Sequence, residues 1–198
     1  MDNINHNKIK ITLHCEDDNT NNFCCKIDDI SEFLKEDALK QNKHMLNTTY
    51  VAYYNKKIIG FYTLSADAIP AKDLGEKYKE KFTDKNIGYK IYPALKLGRL
   101  GVHKEYDKKG VGSFLFKKVL KEGIVLSEKI GLRFITIDAY MSSYKFYEKI
   151  YCKHTLKKDK VENKIKDYED LISKNNKRAK DMTIPMFYDL YRFKSLEK

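Results

Sequence analysis

Residues Leu97–Gly131 constrain the fold more than any other stretch of the chain. A strand-like run, Ala94–Val102 (ALKLGRLGV), leads into a charged loop, His103–Lys109, and then into Gly110-Val111-Gly112. From Ser113 to Gly131 the apolar residues Phe114, Leu115, Val119, Leu120, Val125 and Leu126 recur at helical spacing. Phe134–Ala139 (FITIDA) then reads as a buried strand. A strand, a long helix and a second strand in succession form a crossover connection, which commits the chain to the α/β class. Gly98 and Gly101 inside the first strand point to a bulge or to a close approach by another backbone.

The remaining elements are shorter. Alternation of Ile9, Ile11 and Leu13 marks a first strand, and Asp28 or Asp29 stands as N-cap of a helix over Ile30–His44. Thr49–Tyr54 and Ile58–Ser65 form a hairpin about a tight turn at Asn55–Lys57. A short helix is expected around Leu74–Phe82 and another over Ser142–Ile150. Lys153–Lys180 has neither Gly nor Pro, and its Val161, Ile165, Tyr168 and Ile172 suit an amphipathic helix. Asp181–Phe193 reads as a terminal strand, with Pro185 tolerable only near an edge or bulge. The length of 198 residues fits one domain over 1–198, with 153–180 as a helical insertion.

The net charge of +11 is unevenly distributed. Residues 1–50 carry 6 basic and 9 acidic groups, or −3, so residues 51–198 hold 33 basic and 19 acidic groups, or +14. Such asymmetry fits a polyanionic partner, either nucleic acid or cofactor phosphate, and equally fits a lysine-rich solvated surface. No run approaches the length of a membrane-spanning helix, and the first ten residues lack the apolar core of a signal peptide. Four scattered cysteines, Cys15, Cys24, Cys25 and Cys152, fit free thiols in a reducing, cytoplasmic compartment. No CxxC or His pair suggests a metal site.

Chemistry concentrates at the glycines. Backbone N–H groups converging at a helix start favour phosphate, and Lys108 and Lys109 add charge just before Gly110-Val111-Gly112-Ser113. Neither GxGxxG nor GxxxxGK[ST] is complete. Arg99 is open to two readings, a contact to RNA phosphate or balance for a buried acid. His103 follows the strand as a candidate base or a solvated loop residue, whereas His14, His44 and His154 have no recognisable partners. Cys152 suits a small core residue, and Asp138 a cap for the helix that follows it.

The run LGRLGVHKEYDKKGVGSFLFKKVL resembles the cofactor motif of the Gcn5-related N-acetyltransferase family, a bulged strand followed by Arg/Gln-x-x-Gly-x-Gly/Ala and a helix. SSYKFYEKI resembles the family segment that brings a tyrosine to the thioester. DDISEFLKEDALKQNK, YVAYYNKKIIGFYTLSA and DMTIPMFYDL add likeness to the toxin acetyltransferases that act on aminoacyl-tRNA. Three positions depart from the pattern: Asp107 replaces Arg or Gln, Lys108 replaces a frequent Gly, and Tyr140 replaces a common Asn.

The resemblance implies a mixed, mostly antiparallel sheet flanked by helices, with an extra basic helix before the last strand. It implies acetyl-CoA bound by Leu100, Gly101, Val102, Lys108, Lys109, Gly110, Val111, Gly112 and Ser113, with N–H groups at Leu100–Val102 polarising the thioester carbonyl. Tyr147 is then the proton donor and Arg99 a substrate contact. The implied partners are aminoacyl-tRNA and a small antitoxin, with a homodimer left open. The alternatives are an acetyltransferase for a small amine or protein N-terminus, and a non-catalytic RNA-binding module, which Asp107 favours.

Overall fold

The computed structural model describes residues 4–75, 78 and 88–196. The chain forms two compact units, Met1–Ala66 with Lys96–Glu122 and Asp67–Leu95 with Gly123–Lys198. Seven strands share one mixed, mostly antiparallel sheet in the order β1-β2-β3-β4-β5-β7-β6. They are β1 (Lys10–Leu13), β2 (Thr48–Tyr54), β3 (Lys57–Pro70), β4 (Ile91–Val102), β5 (Phe134–Tyr140), β6 (Lys153–His154) and β7 (Thr183–Asp189). The helices are α1 (Asp28–Glu36), α2 (Ala38–Lys43), α3 (Val111–Ile130), α4 (Tyr144–Lys149), α5 (Lys158–Ser173) and α6 (Leu190–Leu196).

In the first unit, β1 pairs antiparallel with β2, and β2 with β3. Asn55 and Lys56 close the hairpin with φ of 49° and 62°, the left-handed pair that a two-residue turn between twisted strands requires. Leu13 is exposed, so the alternation in β1 does not sort its side chains cleanly; β1 is the edge strand. The expected helix over residues 30–44 breaks at Asp37, whose N–H closes α1 on the Phe33 carbonyl while its own carbonyl starts α2 by accepting from Gln41. Asp28 and Asp29 lie in the first turn of α1, favourable to its dipole, and Ile27 occupies the N-cap.

The glycines of β4 have specific neighbours. A Cβ on Gly101 would lie 2.5 Å from the Phe61 ring and 2.9 Å from Ile30, and one on Gly98 would lie 2.8 Å from Thr63 Oγ1. Both glycines therefore answer to approaching side chains, whereas a close backbone occurs at Gly60, whose Cβ would fall 2.8 Å from the Gly101 carbonyl oxygen. Phe61 in turn packs edge-on against Phe23 and stacks with Phe33, tying α1 to the sheet.

The second unit is centred on Phe134, which meets Tyr78, Tyr92 and Phe187 edge to face at 5.7–6.0 Å. β5 and β7 are antiparallel, with Phe134 opposite Asp189 and Asp138 opposite Pro185. Asp138 thus lies within the strand and does not cap α4, whose N-cap is Ser143. β7 is interior, contrary to an edge placement for Pro185. Thr155 N–H bonds the Pro185 carbonyl just beyond the end of two-residue β6, and the reciprocal bond that proline cannot donate falls where that short strand has already ended.

The expected terminal strand ends at Asp189. Asp189 Oδ1 accepts from Tyr191 N–H at 3.1 Å and thereby starts α6, while Arg133 grips the same carboxylate at 2.9 and 3.0 Å. The expected helix over 153–180 resolves into β6, α5 and a 3-10 turn at Lys177–Asp181. The helix expected around Leu74–Phe82 lies mostly outside the described residues. Gly101→Ala is expected to lower stability by about 1–3 kcal/mol through overpacking against Phe61; urea unfolding measures this, and an unchanged midpoint would contradict the packing described.

Candidate cofactor and catalytic site

The loop between β4 and α3 begins with a 3-10 turn at Lys104–Tyr106, continues through Asp107 and Lys108, and turns sharply at Gly110. Lys108 and Gly110 both have positive φ, 56° and 79°. The first intrahelical bond of α3 runs from Phe114 N–H to the Gly110 carbonyl at 3.0 Å. The N–H groups of Val111, Gly112 and Ser113 therefore have no acceptor within the helix, at the positive end of a 20-residue dipole. Left-handed residues just ahead of such a start fold the backbone into an anion-binding concavity. Lys108, where the resembling family often has Gly, keeps the left-handed conformation at a cost of about 1–2 kcal/mol for an L-residue.

Asp107 does not spoil this concavity. Its carboxylate pairs with Lys26 Nζ at 2.6 Å, which offsets the acid locally. His6 supports the loop from outside: Nε2 lies 3.2 Å from the Lys109 carbonyl, the ring meets Phe114 at 5.4 Å, and a Cβ on Gly110 would crowd it at 3.0 Å. Lys109 Nζ lies over the Tyr106 ring at 5.6 Å. Sequence reading missed Lys26 and His6, which reach the loop across 81 and 103 positions. No local pattern signals either contact.

Along the end of β4, Arg99 N–H donates to Thr63 Oγ1 at 2.8 Å and His103 N–H to the Ile59 carbonyl at 2.9 Å, both on β3. N–H groups alternate in direction along a strand, so those of Leu100 and Val102 point away from β3, while Gly101 shares the direction of Arg99. The Arg99 guanidinium stacks on the Phe33 ring at 3.8 Å from its centre, which leaves the planar edge of the group as its binding surface. His103 has both ring nitrogens engaged: Nδ1 accepts from Glu105 N–H, leaving Nε2 to donate to the Asn22 carbonyl, each at 3.2 Å. It is a turn-holding residue, not a poised base. His14 and His154, partnerless by sequence, pair with Asp18 at 2.7 Å and Glu148 at 2.8 Å.

In the second unit, α4 carries Tyr147 on its buried side, with the Phe146 ring edge-on at 5.0 Å. The Tyr147 carbonyl accepts from Ile150 and Cys152, anchoring the end of this short helix. Burial, with the Cys152 thiol beside it, pushes the phenol above its ordinary value near 10. Tyr147 consequently keeps its proton throughout the physiological range. Burial likewise pushes Cys152 up, making it a neutral core thiol and a poor nucleophile.

Residues 13–151 match the model of the acetyltransferase (GNAT) family. The chain belongs to the GNAT family. It is an acetyl-CoA-dependent acyltransferase. A tRNA-acetylating toxin of Mycobacterium tuberculosis (strain ATCC 25618 / H37Rv) is 22% identical over 122 residues, covering 62% of this chain and 70% of the relative. Among solved structures, AtaT complexed with acetyl-methionyl-tRNAfMet superposes with a TM-score of 0.75 at 18% identity, covering 96% of this chain and 99% of the other. A tyrosine-to-phenylalanine mutant of KacT gives the same TM-score, identity and coverage. A mutant AtaT bound to acetyl-CoA and to the C-terminus of the antitoxin AtaR has a TM-score of 0.69 at 14% identity, covering 96% and 99%.

The GNAT donor fits the residues present. A pyrophosphate needs several converging N–H donors and an environment without opposing charge, which the start of α3 and the Lys26–Asp107 pair provide. Lys26→Ala is expected to weaken acetyl-CoA binding about three- to fivefold by exposing the anion to Asp107, within the range of a single exposed charge interaction. Adding Asp107→Asn should restore affinity in calorimetry. Unchanged binding in Lys26→Ala would show that Asp107 faces away regardless of its partner.

Proposed function

We propose that this acetyltransferase acetylates the α-amino group of aminoacyl-tRNA by direct transfer, blocking translation, and acts as the toxin of a pair with a small antitoxin. The observation that carries this reading is the likeness over 122 residues to a tRNA-acetylating toxin. The solved complexes of AtaT with an acetylated tRNA and with AtaR point the same way. So does the charge of +14 on residues 51–198. α5 itself holds four Lys against five Asp and Glu, so the basic excess of residues 153–180 lies in its flanks, at Lys153, Lys157, Lys174, Lys177, Arg178 and Lys180, all exposed. Within this reading they form part of the RNA face.

When bound, acetyl-CoA supplies an activated acetyl thioester. Val111, Gly112 and Ser113 would hold its phosphates by backbone N–H, Gly110 shapes the turn, and Lys108 and Lys109 would add charge. The Leu100 and Val102 N–H groups would be the donors to its carbonyl oxygen, and Gly101 keeps β4 in place against Phe61. Tyr147 Oη holds the proton that the leaving sulfur requires. The acceptor needs no strong base, because an α-amine of pKa about 7.7–8.0 is partly neutral at working pH, unlike lysine near 10.4. Arg99 offers its guanidinium edge to RNA phosphate.

Incubation with labelled acetyl-CoA and bulk charged tRNA should place label in the RNA fraction, with activity falling steeply as salt rises. Label confined to small amines or protein N-termini, insensitive to salt, would overturn the RNA substrate. Tyr147→Phe should lower kcat about 10²–10⁴-fold, the usual contribution of a general acid. The raised phenol also sets a pH profile: the rate should climb as the amine loses its proton near ~8 and stay level to about pH 10. A basic limb below pH ~9 that disappears in Tyr147→Phe would contradict a proton held this tightly.

A further inference from the structure

Immediately after α4 the chain turns through Tyr151 with φ of 69°. This is the residue beyond a helix C-cap, a position that glycine fills most readily because a Cβ is strained there. Asn55 and Asn175 tolerate left-handed backbone, as do Gly75, Gly110 and Gly131. Met45, Lys56 and Lys108 share the sign of φ, and Tyr151 is the aromatic residue among the described positions that does.

Burial does not compensate for the strain, because Tyr151 is 61% exposed. What holds the ring is Arg192 of α6, whose guanidinium lies 4.3 Å from its centre. One face is thus backed by a cation and the side chain projects into solvent. The flanks are basic, with Lys149 and Lys153 both exposed, and the neighbouring Glu148 is engaged by His154. Tyr151 is also tied directly to the tyrosine helix: its N–H bonds the Glu148 carbonyl at 3.0 Å, and the next N–H bonds that of Tyr147 at 2.9 Å.

We propose that Tyr151, backed by Arg192, is a stacking platform for an unpaired base at the acceptor end of the RNA substrate. The proposal rests on the aminoacyl-tRNA reading above and adds a residue that recognises the RNA itself. Aromatic faces with neighbouring cations are how proteins hold single-stranded nucleic acid, since every base has a π-face and carries a phosphate. An exposed Tyr–Arg pair also suits a protein interface, and the self-association measurement below separates the two.

The test is Tyr151→Gly, which relieves the backbone and removes the platform. Its melting temperature should equal or exceed that of the unaltered protein, since loss of the Arg192 contact is offset by the relaxed turn. Its affinity for acetyl-CoA in calorimetry should be unchanged. The KM for aminoacyl-tRNA should rise about tenfold or more with a smaller change in kcat, while Tyr151→Phe and Tyr151→Trp keep KM within about twofold. A normal KM in Tyr151→Gly, with the unaltered protein active on RNA, would overturn the platform alone. A normal KM accompanied by altered self-association in light scattering would assign the ring to a protein interface and equally overturn it. A fall in kcat at unchanged KM would show that the turn merely positions Tyr147. If the unaltered protein transfers no acetyl group to RNA, the substrate reading falls and takes the platform with it.

Discussion

Three backbone N–H groups, those of Val111, Gly112 and Ser113, begin α3 without an acceptor inside the helix. A long helix concentrates roughly half an elementary charge at that end, and an anion there satisfies donors and dipole together. The surrounding contacts keep the end open and shaped. Gly110 turns the chain, His6 supports the Lys109 carbonyl, Lys26 engages Asp107, and Gly60 and Gly101 allow β3 and β4 to pack tightly beneath it. The side chain at Lys108 contributes charge while its backbone accepts a conformation suited to glycine.

Much of this unit was legible because it is local. A strand followed by a glycine-containing helix start is written in consecutive residues, and so is the Phe146-Tyr147 pair that the family resemblance marked. The contacts that make the loop workable were not legible. Lys26 with Asp107, Thr63 with Arg99 and His6 with Lys109 each join distant parts of the chain through one hydrogen bond or ion pair. Asp107 alone argued for a cofactor-free module, and its partner removes that argument. Tyr151 was hidden for a different reason: composition gives no sign of the sign of φ.

The misread boundaries share a cause. Met182, Ile184 and Met186 alternate convincingly, but the pattern does not reveal that Asp189 will cap a helix and end the strand. Residues 30–44 keep a helical pattern across Asp37, where the hydrogen bonding switches from one helix to the next. Asp138 sits near the end of an apolar run and reads as a cap, yet the register extends β5 past it to Tyr140. In each case a single backbone or side-chain bond decides where an element stops, whereas periodicity reports only that an element is present.

Under the function proposed above, the buried Tyr147 phenol and the anion-binding start of α3 both serve transfer to the α-amine of aminoacyl-tRNA. The most direct measurement is mass analysis of the aminoacyl-adenosine released by nuclease after incubation of charged tRNA with acetyl-CoA and the protein. The expected product is heavier by one acetyl group on the amino acid and forms about 10²–10⁴-fold more slowly when Tyr147→Phe is used. Unmodified aminoacyl-adenosine with the unaltered protein, under conditions where it binds acetyl-CoA, would contradict that function.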